Sequence, residues 1–184
     1  IHERGNIELT EETYLEIIEG KTAELCAICC YLGAHFSGAP EQVSSAFDSY
    51  GRSLGIAFQI ADDLLDIASE GEVSGKTPGT DLREGVLTLP MLLVQSAQRT
   101  EDAELLGLLG RPLPDDAEHA RALELMRAHP AMTQAQARAD EFASADSTAS
   151  TVFSQRATLL PVTPTFPHAD DGVLFFVRPL IDKH

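Results

Sequence analysis

The chain has 184 residues and carries 13 Lys plus Arg against 29 Asp plus Glu, a net charge of -16. That length suits one domain with a sizeable core, and so acidic a balance argues against nucleic acid or an anionic membrane surface as a partner. Apolar runs stay short of the ~20 residues that span a bilayer, and no basic start leads into an apolar leader, so we expect no transmembrane segment and a cytoplasmic setting. The first residue is Ile, which reads as a start inside a longer natural protein. Cys26, Cys29 and Cys30 crowd one helical turn, where they cannot build a disulfide framework. They read as reduced, buried small apolar residues.

In chain order, Leu9-Thr-Glu-Glu-Thr-Tyr14 reads as a helix start. Thr10 is the N-cap, Glu11 and Glu12 favour the positive helix end, and Leu9 can staple onto Tyr14. Tyr14, Ile18, Leu25, Ile28 and Leu32 recur at helical spacing and are expected to face the core. Lys21 falls within that stripe. It can snorkel to the surface or point an ammonium into a cavity that receives a phosphate; the residues alone favour neither. Gly38 and Pro40 close this helix and open the next, which runs from about Glu41 to Ser69, with Gly51 and Gly55 read as packing glycines.

Within the second helix lies Gly55-Ile-Ala-Phe-Gln-Ile-Ala-Asp-Asp-Leu-Leu-Asp-Ile67. Asp62, Asp63 and Asp66 sit in an otherwise apolar run. At 100° per residue Gln59, Asp62 and Asp66 share roughly 60° of arc, beside the apolar stripe Phe47, Leu54, Phe58 and Leu65. Unpaired carboxylates at a core edge are costly unless something positive neutralises them, and Mg²⁺ is a natural candidate because hard cations prefer carboxylate oxygens. The competing reading is a solvated helix edge.

Glu70 to Thr80 reads as a Gly-rich loop bearing Lys76, which either swings over a bound anion or is simply solvated. Asp81-Leu-Arg-Glu-Gly85 comes next, then an apolar helix from Thr88-Leu-Pro-Met-Leu-Leu-Val94. Further helices are expected over Glu101–Leu109, Asp115–Ala128 and Met132–Ala145, broken by Gly110, Pro112, Pro114 and Pro130, with His119 and His129 exposed to solvent. From Ser144 the composition shifts to Ser, Thr and Ala, then to Pro161, Pro164 and Pro167, and ends in a strand-like Gly172–Ile181. The domain organisation is therefore read as 1–143 plus a divergent tail, 144–184.

The string FQIADDLLD (58–66) with GKTPGTDLREGVLTLPML (75–92) resembles the second aspartate-rich region of the trans-isoprenyl (polyprenyl) diphosphate synthases, and Tyr14–Cys26 is similar to the Lys-Thr helix of that family. The resemblance covers roughly Ile1 to Phe142. It implies an all-α, isoprenoid-synthase-type helical bundle around a central cavity, usually in a homodimer. It implies a prenyltransferase that uses Mg²⁺ to ionise an allylic diphosphate, whose carbocation is attacked by isopentenyl diphosphate. On that template Asp62 is the principal metal ligand, supported by Asp63 and Asp66. Lys21, Thr22, Gln59 and Lys76 hold the allylic diphosphate, and Phe58 lines the cavity close to isopentenyl diphosphate. Val86 stands where many relatives have a further Lys. The first aspartate-rich motif of the family, which lies upstream in relatives, does not occur in this sequence. A non-catalytic regulatory subunit or an incomplete fragment is accordingly the alternative. A terpene cyclase shares the implied fold, but these motifs resemble chain elongation more closely.

Overall fold

The computed structural model describes residues 9–69 and 78–144; the expected loop around Lys76, the tail and its strand-like end lie outside the described residues. Those residues are helical, without a strand among them. Helix α1 (Glu11–Ile18) begins as its sequence dictates: the Thr10 hydroxyl accepts the Thr13 N–H at 3.2 Å. A π-helical turn, Glu19–Ala23, comes next, and α2 (Glu24–Phe36) continues from it. Gly38, at φ +79°, and Pro40 then reverse the chain into α3 (Glu41–Ala68).

Helices α2 and α3 form a close hairpin because two glycines bring the backbones together. A Cβ on Gly51 would lie 2.6 Å from the Cys26 carbonyl oxygen, and one on Gly55 would lie 2.5 Å from Ala23 Cα. Short α4 (Thr80–Glu84) ends at Gly85, whose φ of +74° suits a residue without Cβ. Helix α5 (Leu89–Ala97) carries Pro90 in its first turn, where no intrahelical N–H is needed. A 3₁₀ turn (Thr100–Asp102) leads into α6 (Ala103–Leu106), and α7 (Asp116–Ala128) is capped by Asp115, which accepts from Ala117 and Glu118 N–H at 2.9 Å. Pro130 starts α8 (Pro130–Ser144) instead of merely breaking the chain. The core joins Ile60, Leu64 and Ile67 of α3 to Leu82, Leu89, Val94, Met126 and the alanine row Ala131, Ala135 and Ala139 of α8.

Four burial expectations are corrected. Leu25, Ile28 and Leu32 are exposed by 40% or more, unlike Tyr14 and Ile18. Helix α2 buries only its small-residue side, through Ala27, against α3, so the side that carries Leu25, Ile28 and Leu32 stays exposed. For the same reason Cys29 is exposed and Cys26 and Cys30 are only half-buried. The phase of α3 is also different. Gln59, Ile60, Asp63 and Ile67 are buried, whereas Phe58 is 56% exposed and Phe47, Leu54 and Leu65 are half-buried. Apolar residues occur nearly all round this helix, so periodicity alone does not select the inner face. Finally, His119 is buried at 5% exposure, and the His129 side chain retains 9%, its Nε2 lying 3.2 Å from the Asp102 carboxylate. His119 offsets its burial through hydrogen bonds at both ring nitrogens, whereas His129 is hydrogen-bonded only at Nδ1, which accepts the Ala131 N–H at 3.0 Å.

Candidate active-site half

The Lys-Thr turn and the acid-bearing helix meet through one chain of hydrogen bonds. Thr22 Oγ1 donates to Gln59 Oε1 at 2.7 Å, and Gln59 Nε2 donates to Asp63 Oδ1 at 2.9 Å. The other oxygen of Asp63 accepts the Tyr14 hydroxyl at 2.7 Å. Tyr14, Gln59 and Asp63 are all buried, so each donor and acceptor in the chain is satisfied inside the fold. The π turn carries Lys21 and Thr22. Its extra residue rotates the start of α2 by about 100° relative to an uninterrupted α-helix. Periodicity in the sequence contains no mark of that turn beyond Gly20, a weak helix former.

The acids take three different settings. Asp62 is exposed and makes no hydrogen bond or ion pair with the described residues. Asp63 is turned into the core. Asp66 is half-buried and caps α4 from a distance: its two oxygens accept Thr80 N–H and Asp81 N–H, each at 3.1 Å. That cap draws in a fourth acid, Asp81, which sequence reasoning singled out only as one letter of a motif. Lys21 is exposed, and its charge acts on Asp63 and Asp81 without a contact ion pair to either. Phe58 stands exposed one turn before Asp62.

Charge crowding is visible in the acid–base behaviour. Burial raises the Asp63 carboxyl above its ordinary value; the Tyr14 and Gln59 hydrogen bonds and Lys21 oppose that rise, and Asp62 adds to it. Asp81 is pushed up to about 6, by burial first and then by Asp66 and Asp63, against the opposing charge of Lys21. Burial and the adjacent Asp63 carboxylate hold the Tyr14 phenol far above its usual range. A raised carboxyl pKa means the native state keeps a proton that the unfolded chain has lost. Asp81 therefore adds stability below its unfolded value of 3.8 that disappears as pH rises through about 6. Denaturant titrations between about pH 4 and pH 7 are expected to show stability falling with pH, and Asp81→Asn to flatten that fall by roughly 1 kcal/mol after solvent screening. An unchanged slope in the variant would reject this role for Asp81.

Among the described residues no three His, Cys, Asp or Glu side chains already converge as a metal-binding group. The donor set nonetheless suits a hard divalent cation. Asp62 is unengaged, Asp66 spends one lone pair on each oxygen, and Asp81 bears negative charge that its neighbours make costly. Asp63 fits less well, since both of its oxygens are committed inside the core.

Comparison with known proteins places these motifs in context. The family model described as Polyprenyl synthetase matches residues 1–126. The chain is 47% identical over 124 residues to a nonaprenyl diphosphate synthase of Mycobacterium tuberculosis, covering 67% of this chain and 37% of that one. It is 38% identical over 130 residues to heptaprenyl diphosphate synthase component 2 of Geobacillus stearothermophilus, covering 71% of this chain and 40% of that one. Among solved structures it is similar to a polyprenyl synthase from Caulobacter crescentus CB15 complexed with calcium and isoprenyl diphosphate, with a TM-score of 0.74 and 36% identity over 82% of this chain and 46% of that one. The chain thus spans 37% and 40% of the length of these two curated relatives.

Proposed function

Because the chain belongs to the polyprenyl synthetase family, we propose that it supplies the second aspartate-rich half of a prenyltransferase site. The reaction joins isopentenyl diphosphate to an allylic diphosphate and yields a longer trans-polyprenyl diphosphate. The observation that carries this reading is the hydrogen-bond chain from Thr22 through Gln59 to Asp63, which ties the Lys-Thr turn to the acid-bearing helix across 37 residues. Lys21 adjoins Thr22 and its charge acts on Asp63 and Asp81, which supports a diphosphate held between that lysine and a cation on the acids.

In this proposal Lys21, Thr22 and Gln59 orient the allylic diphosphate, and Lys76 adds a second cation as the resemblance implies. Asp62 and Asp66, joined by Asp81, would hold Mg²⁺. Asp63 buttresses the other groups from within the core. When bound, the cation supplies neutralisation of the departing diphosphate. The exposed Phe58 ring offers an apolar surface to the isopentenyl group, from which water is displaced. A cytoplasmic homodimer belongs to the same proposal, in line with the resemblance.

The test combines binding with turnover. Calorimetry with inorganic pyrophosphate is expected to show binding that requires Mg²⁺ and disappears with a chelator. The chain is then incubated with Mg²⁺, isopentenyl diphosphate and a ten- to twenty-carbon allylic diphosphate, and products are sized by mass spectrometry. A lengthened prenyl diphosphate supports the transferase. Binding without elongation supports the regulatory or incomplete alternative, and absence of both overturns the site.

A further inference from the structure

We propose that His119 of α7 is a positioning residue for the acid cluster, acting through Gly79 on the turn that holds Asp66 beside Asp81. Its two ring nitrogens have partners that determine the tautomer. The Gly79 carbonyl can only accept, so Nε2–H donates to it at 2.9 Å; the Arg83 guanidinium can only donate, so Nδ1 accepts from its Nη2 at 3.1 Å. Arg83 is held in turn by Asp116 Oδ1 at 2.7 Å, at the start of the same helix. Gly79 adopts φ +67°, and a Cβ there would fall 2.9 Å from His119 Nε2 and 2.6 Å from Leu123 Cδ2. Its own N–H donates to the Asp66 carbonyl at 2.7 Å, and the next two N–H groups reach the Asp66 carboxylate.

Helix α7 also holds the chain just beyond Asp66. Arg127 donates to the Ile67 carbonyl at 2.7 Å and to the Ser69 carbonyl at 2.8 Å. Asp66 is therefore gripped on both sides by one helix whose residues stand outside the acid cluster. A buried imidazole with both nitrogens engaged sets where Gly79 sits, and Gly79 sets the direction of the Thr80 and Asp81 N–H groups. Loosening that carbonyl lets the Asp66 cap slacken and moves Asp81 away from the other acids.

The test compares His119→Leu, which removes both ring hydrogen bonds, with His119→Gln, which keeps a side-chain N–H for the Gly79 carbonyl. In the full chain, His119→Leu is expected to speed amide hydrogen exchange at Thr80 and Asp81 by about tenfold relative to the core amide of Ile60. Mg²⁺-dependent affinity for inorganic pyrophosphate falls by a similar factor, and His119→Gln recovers most of both. Exchange that is unchanged at Thr80 and Asp81, or faster to the same degree throughout the chain, overturns the proposal, as does an altered exchange with unaltered affinity. If His119→Leu does not fold, Arg83→Met tests the same link by releasing the ring from its second partner, with a smaller rise at the same two amides expected and no rise overturning it. The affinity measurement rests on the diphosphate reading above. The exchange measurement does not, so failure to bind pyrophosphate in the unaltered chain is distinguishable from failure of the His119 link.

Discussion

Asp62→Asn is expected to reduce Mg²⁺-dependent pyrophosphate binding by about 100-fold or more while leaving the fold unchanged. Asp62 is exposed and unengaged by the described residues, so its carboxylate charge has no structural work to lose. An amide of the same shape removes the charge that attracts a divalent cation and keeps the helix surface as it was. Asp63→Asn should behave differently. Both Asp63 oxygens accept, from Tyr14 Oη and Gln59 Nε2, so an amide there leaves either Gln59 Nε2 facing an NH₂ or the buried Tyr14 hydroxyl proton without its acceptor. One buried hydrogen bond is lost and a polar group left unpaired, at a cost of about 1–3 kcal/mol in stability. Calorimetry and thermal melts on the two variants separate the roles. Unchanged binding in Asp62→Asn, or unchanged stability in Asp63→Asn, would reverse the assignment of ligand and buttress.

The largest expected effect on stability comes from Gly55→Ala. The new methyl would lie 2.5 Å from Ala23 Cα and 3.0 Å from Ala23 Cβ. Backbone cannot turn aside as a flexible side chain can, so the α2–α3 hairpin has to open, at a cost of about 3 kcal/mol. A fall in Tm of about 10 °C is expected for a chain of this size. Ala23 directly succeeds Thr22, so opening the hairpin also strains the Thr22–Gln59 bond, and pyrophosphate affinity should fall with stability. Gly33→Ala is the matched control. It lies in α2 with nothing within 4 Å of the added methyl, and relief of glycine's backbone freedom should stabilise the chain by up to about 1 kcal/mol. Equal melting temperatures for Gly55→Ala and the parent would show that the close approach of the helices is not required.

Much of the organisation is written locally. Thr10 caps α1, Gly38 and Pro40 turn the hairpin, and Asp115 caps α7, each where the sequence expectation placed the boundary. The motif residues of the Lys-Thr turn and the acid-bearing helix were also legible, since their identity and spacing suffice for the family resemblance. Such signals act across a few residues, through one cap, one turn or one fixed φ, and no distant partner is needed to express them.

Burial and pairing were not legible in the same way. Only the folded arrangement separates Asp63, locked between Tyr14 and Gln59, from Asp62 next to it, and brings Asp81 to Asp66 across 15 residues. It also turns Phe58 outward, inserts the π turn beneath Thr22 and buries His119 against Gly79. Each outcome depends on what a second element presents from tens of residues away. Period and composition along one helix do not contain that information, because an apolar or acidic residue is compatible with several faces until a neighbour satisfies its polar groups or excludes its water. Local chemistry along the chain was enough to specify the helices, their ends and the groups they carry; packing between them decided which carboxylate is locked in the core and which is left exposed.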